Sequence, residues 1–98
     1  MTIAPATPTK ERPRTGRDGG AGDAWRVIVL NDNHNTFDGV ALALATVLPG
    51  MTFDRGMALA NRIHNTGGAV VWSGLREPAE LYWTRLKELG LTMAPLEQ

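Results

Sequence analysis

The 98-residue sequence has no cysteine. That excludes a disulfide framework and any thiolate metal site, and it fits a reducing compartment. Net charge is missing too: ten Lys and Arg offset ten Asp and Glu, so no excess field steers the chain to nucleic acid or to an anionic membrane. No apolar run approaches the roughly 20 residues of a membrane span. The opening MTIAPATPTKERPRTGRDGG also lacks the apolar centre of a secretory signal. G-x-S-x-G, P-loop, G-x-G-x-x-G, H-x-x-x-H and H-E-x-x-H patterns are absent. One loop carboxylate and two histidines, with no nucleophile in view, do not make a self-sufficient active site. These absences predict a soluble, cytoplasmic, monomeric protein that is not an enzyme, needs no cofactor, and binds neither nucleic acid nor membrane.

What is present divides the chain in two. Residues 1 to 23 hold Pro5, Pro8, Pro13 and four glycines with almost nothing large and apolar after Ile3. Such a stretch buries too little surface to offset its ordering entropy, which predicts a disordered N-terminal extension. It reads either as a solvated tail or as a handle for a partner. Residues 24 to 98 are expected to form one small domain with a modest core.

Within that domain WRVIVL reads as a strand. Asn35 or Thr36 can cap a helix in which Phe37, Val40, Leu44, Val47 and Leu48 share a face and Pro49-Gly50 ends the run. Thr52 caps a second helix, with Phe53, Met57, Ala60 and His64 on one stripe and Gly67-Gly68 after it. AVVWSG reads as a second strand. A third helix is predicted to begin near Glu77 with Pro78 at its first position, to bury Ala79, Tyr82, Leu86 and Leu89, and to end at Gly90. LTMAPLEQ reads as a last short strand, with Pro95 at an edge or strand end. The order β-α-α-β-α-β predicts an α+β fold, a small three-stranded antiparallel sheet with helices packed on one face.

The chemistry concentrates in VLNDNHNTFD. A turn after a strand favours Asn and Asp simply for closure and capping, yet this one has a carboxylate and an imidazole as well. If the two strands are neighbours, the loop lies near the end of the second helix. Asn31, Asp32 and His64 would then supply acceptors beside apolar walls from Phe37, Val40, Met57 and Ala60. That inventory suits an ammonium head on an apolar body, such as the free N-terminus of a peptide. A lone histidine on an apolar stripe can equally be a boundary residue. A metal site could be drawn from Asp32, His34 and His64, but without metal-typical spacing.

Taken in order, WRVIVLNDN, the helix start at Phe37, RIHNTGGAVV and the closing LTMAPLE resemble the ClpS adaptors of the Clp protease, from about Trp25 to Glu97. The resemblance implies the same β-α-α-β-α-β domain, recognition of N-terminal degradation signals, and delivery of N-degron substrates to an AAA+ Clp unfoldase of the ClpA or ClpC kind. It assigns Asn31, Asp32 and His64 to the substrate's α-amino group. Asn35, Phe37, Val40 and Ala60 fall to its side-chain pocket, and Glu77 and Tyr82 to unfoldase docking. The sequence departs from the family at three pocket positions. Asn33 stands where a second acidic residue is usual, Phe37 where a Met gates the pocket, and Ala60 where a second pocket Met is found. On the docking face, Tyr82 replaces a Lys. A docking domain that modulates the unfoldase without reading N-degrons is the alternative these departures raise. A small-ligand or metal-binding domain is a third.

Overall fold

The computed structural model describes residues 24–98; the expected N-terminal extension, residues 1–23, lies outside them. β1 is Trp25–Leu30, α1 Phe37–Val47, α2 Phe53–Thr66, β2 Gly68–Gly74 and α3 Arg76–Glu88. Both helix starts read from threonines are found. Thr36 Oγ1 accepts the Gly39 N–H, and Thr52 Oγ1 accepts the Arg55 N–H, each satisfying one of the orphan donors of a first turn.

β1 and β2 pair antiparallel, with an irregularity between Val27 and Ile28: Val27 faces Trp72, and Ile28 faces Val70. Val71 is the extra residue. The bulge lets both Val71 and Trp72 turn toward the helices, where Val71 is buried and Trp72 meets Tyr82 edge-on. Val27 and Val29 point the same way and are fully buried with Leu44 of α1 and Leu86 of α3. Val70, on the opposite face, is 46 % exposed. One core thus sits between the sheet and the three helices.

The sheet differs from the expected three strands. It has two, β1 and β2, and the C-terminal segment meets the other edge of β1 only through isolated bridges, Val29 with Met93 and Arg26 with Glu97. The segment between these bridges is one residue longer than its β1 counterpart. Pro95 has no N–H to give, so the ladder breaks there. Hydrogen bonds from Leu30 N–H to Thr92 O (2.8 Å) and from Ala94 N–H to Ile28 O (3.1 Å) still hold the segment in place.

Helix α3 starts at Arg76 rather than Glu77, behind Leu75, which offers no side-chain cap. Pro78 is then the third helical residue, where its missing N–H would have had no intrahelical partner anyway. Ala79 and Leu86 are fully buried, but Leu89 is 52 % exposed. The helix winds out through Gly90 (φ 97°), with Gly90 N–H to Lys87 O and Leu91 N–H to Leu86 O. This paired closure buries Leu91 instead of Leu89. On α2 the buried line is Gly56, Ala60 and Ile63, not Phe53, Met57, Ala60 and His64. A Cβ on Gly56 would lie 2.8 Å from the Ala41 carbonyl oxygen, so the bare glycine is what lets α2 close on α1. That close approach rotates Phe53 and His64 to the rim, where both are exposed.

Candidate functional site

Three chain ends converge beside the loop that follows β1. Gly67, at φ 92°, reverses the chain after α2, and its carbonyl accepts the Asn31 N–H at 3.0 Å. The residues after α3 close the other side. Asn35 Nδ2 donates to Gly90 O (2.9 Å), and Thr92 Oγ1 donates to Asp32 Oδ2 (2.8 Å). Between them lies an open cleft of about 40 Å³. The loop lines it with Asn31, Asp32 and Asn35, α1 with Phe37 and Val40, and α2 with Ala60, Ile63 and His64. Val29, Leu30 and Leu91 complete the wall. All seven residues assigned by the sequence to the amine site and the side-chain pocket thus border one cleft; Met57 does not.

The polar groups of the cleft fall into two sets. Asp32 and Asn35 are engaged inside the protein. Asp32 Oδ1 accepts the N–H groups of His34 (3.1 Å) and Asn35 (2.8 Å), and Oδ2 accepts Asn35 Nδ2 (2.7 Å) and Thr92 Oγ1. A carboxylate offers about four acceptor positions, and all four are in use. Burial opposes ionisation of this group, but the bonds from the Asn35 backbone and side chain, Thr92 and the His34 backbone outweigh it and hold the carboxyl well below the ordinary carboxylate range. Asn35 therefore tethers the loop, and Thr36 alone caps α1.

The second set is available. The Asn31 side-chain amide and the His64 imidazole make no hydrogen bond among the described residues. The His64 ring instead meets Phe37 at a tilt of 62°, centroids 5.3 Å apart. The cleft thus presents two unused polar side chains at its mouth, a fixed negative charge behind them, and an apolar interior.

His34 points its Nε2 toward Asp32 Oδ2 at 3.7 Å with its side chain 71 % exposed, and it does not line the cleft. Among the described residues no three His, Asp or Glu side chains converge as metal ligands. Glu77 is exposed in the first turn of α3, and Tyr82 is half-buried against Trp72 with centroids 4.9 Å apart. The cleft lies past the other end of this 13-residue helix, about 20 Å along its axis.

Sequence reasoning missed Ile63, Leu91 and Thr92. Ile63 follows once Gly56 is recognised as the inner face of α2, and Leu91 follows from the glycine closure of α3. Thr92 carries no local signal, because its partner is 60 residues away.

The family described as the ATP-dependent Clp protease adaptor protein ClpS matches residues 21–95 of this chain. The chain belongs to the ClpS family. Two relatives called ATP-dependent Clp protease adapter protein ClpS are close to it. The Nostoc one is 55 % identical over 73 residues, covering 74 % of this chain and 75 % of the relative. The Synechocystis one is 53 % identical over 74 residues, covering 76 % of each. Agrobacterium tumefaciens ClpS2 bound to L-phenylalaninamide superimposes with a TM-score of 0.71 at 27 % identity, covering 78 % of this chain and 96 % of that one. ClpS membership places the chain among adaptors of the Clp protease, not among its proteolytic subunits. No helix among the described residues is long and apolar enough to cross a membrane.

Proposed function

We propose that this adaptor binds the N-terminal residue of proteins destined for the Clp protease, taking a free α-amino group with a bulky apolar first side chain, and passes them to an AAA+ Clp unfoldase. The observation that carries this reading is the pairing of two uncommitted polar side chains, Asn31 and His64, with an apolar cleft. An α-ammonium donates three hydrogen bonds and accepts none. The Asn31 amide oxygen and a neutral His64 nitrogen can receive two of them, while the Asp32 charge offsets the cation. Val40, Ala60 and Ile63 line the space for the side chain.

The ligand of the Agrobacterium relative has the same parts: an α-amino group, a phenyl side chain, and a carboxamide where a peptide bond would continue. The cleft is smaller than the roughly 150 Å³ in which a benzene-sized guest is held. An aromatic guest therefore requires the cleft to widen, and Phe37 on its wall is 37 % exposed.

Fluorescence anisotropy with peptides beginning in Phe, Tyr, Trp, Leu or Ala, each also N-acetylated, tests the reading. Free bulky N-termini should bind at least about tenfold more tightly than Ala ones, which lack the buried apolar side chain, and than acetylated ones, which lose a charged hydrogen bond. Equal affinity across the set would reject N-terminal recognition and leave a domain that docks on the unfoldase without reading N-degrons.

A further inference from the structure

We propose that Thr92 is a positioning residue for amine recognition, aiming the Asn31 amide by gripping the chain on both sides of it. The inference rests on the reading of the cleft as an amine site. The Thr92 carbonyl accepts the Leu30 N–H at 2.8 Å, and the Thr92 hydroxyl donates to Asp32 Oδ2 at 2.8 Å. Leu30 and Asp32 are the two neighbours of Asn31, so a single residue from the segment after α3 brackets it.

The hydroxyl is set apart from the other donors to Asp32. The His34 N–H, the Asn35 N–H and the Asn35 amide belong to the loop itself. The two backbone N–H groups travel with the carboxylate wherever the loop goes, while the Asn35 amide is also anchored outside the loop on Gly90 O. Among the described residues, Thr92 is the one donor to Asp32 that comes from another part of the fold, 60 residues on. It follows directly on Leu91, a wall of the cleft. Because all four acceptor positions of Asp32 are filled, the carboxylate cannot take a proton donor from an ammonium without releasing one it holds. Asp32 then serves recognition through its charge and through the place it gives Asn31. The hydroxyl of Thr92 fixes that place relative to His64, which the Asn31 N–H to Gly67 O bond ties to the same end of α2.

The test uses the full chain and a peptide with a free N-terminal Phe. Thr92→Val, which keeps the shape and removes the hydroxyl, should weaken binding about five- to tenfold, and Thr92→Ser should stay within about twofold of the parent. In an Asn31→Ala background, Thr92→Val should cause no further loss, because the group it aims is gone. A merely structural threonine would give the same loss in both backgrounds. Should the valine variant fail to fold, Thr92→Ala is read in its place. Parental affinity in the hydroxyl-free variant, failure of serine to restore binding, or losses that add would overturn the proposal. A parent protein that binds Phe-, Ala- and acetyl-starting peptides alike would overturn the amine-site reading and this inference with it. If the parent discriminates and the Thr92 variants do not differ from it, only this inference falls.

Discussion

Asn31 and His64 are neighbours in the cleft for different reasons, and their substitution should be felt in one place. Neither side chain supports the fold through a hydrogen bond among the described residues; truncating His64 also removes its edge contact with the Phe37 ring. Asn31→Ala and His64→Ala should each weaken binding of a Phe-starting peptide by about 1.5–3 kcal/mol, the range of a hydrogen bond to a charged group. Urea unfolding should change little in either. Asp32 should be felt in stability as well as in binding. In the folded protein its carboxyl is held well below the usual range, whereas in the unfolded chain it titrates near 4. Between those values the unfolded chain carries the extra proton. The stability Asp32 contributes is therefore complete above about pH 4 and is lost as pH falls toward the depressed value. Urea midpoints measured from about pH 5 down to about pH 3 should drop more steeply in the parent than in Asp32→Asn. Parallel slopes would show that the Asp32 hydrogen bonds do not survive in solution.

At the scale of the elements, α1 and α2 were legible because their signals are local. Thr36 and Thr52 cap them, Pro49-Gly50 separates them, and Gly67 ends α2. The last buried residue at the end of α3 and the third strand were not, because they depend on what the chain meets elsewhere. Leu91 replaces Leu89 in the core through the Gly90 closure, and Pro95 breaks a ladder whose other half is β1. The bulge at Val71 is invisible to a period-2 pattern, since it places two successive residues on one face. The residues that border the cleft were legible, but the hydrogen bonding of Asp32 was not: occupancy of its lone pairs depends partly on Thr92, and no spacing rule links residues so far apart. The least legible residue was Gly56. Replacing it with Ala would gain about 1 kcal/mol of helix propensity and would press a methyl group into the Ala41 carbonyl. Overpacking against backbone costs about 1–3 kcal/mol, so Gly56→Ala should be net destabilising. Prying α2 from α1 also moves Ala60 and His64 away from Val40 and Phe37. Peptide affinity should fall with stability, and calorimetric unfolding beside a binding titration checks both.

Across the whole molecule, the proposed reading gives the two ends of α3 two different tasks. Gly90 and Leu91 belong to the cleft, and Glu77 stands about one helix length away. Glu77→Lys should leave peptide affinity within about twofold while impairing degradation of an N-degron substrate by the unfoldase and protease. Unimpaired degradation would remove Glu77 from the docking face. Tyr82 is a poorer probe, because its ring packs on Trp72 and its loss would disturb the fold.

The position of β1 has a consequence for how the molecule comes into being. Among the described residues β1 is synthesised first, and it is central: it pairs with residues 68–74 on one edge and meets residues 92–97 on the other. Neither partner is nearby in the chain, so both closures carry a loop-entropy cost that local helix formation does not. During synthesis one flank of β1 stays unpaired until Glu97 has emerged, and an unpaired flank invites association with other chains. The residues that flank β1 there include Thr92, which also holds the loop after β1 through Asp32. A nascent chain can therefore form its helices early, but it acquires a working cleft only at the last step of its folding.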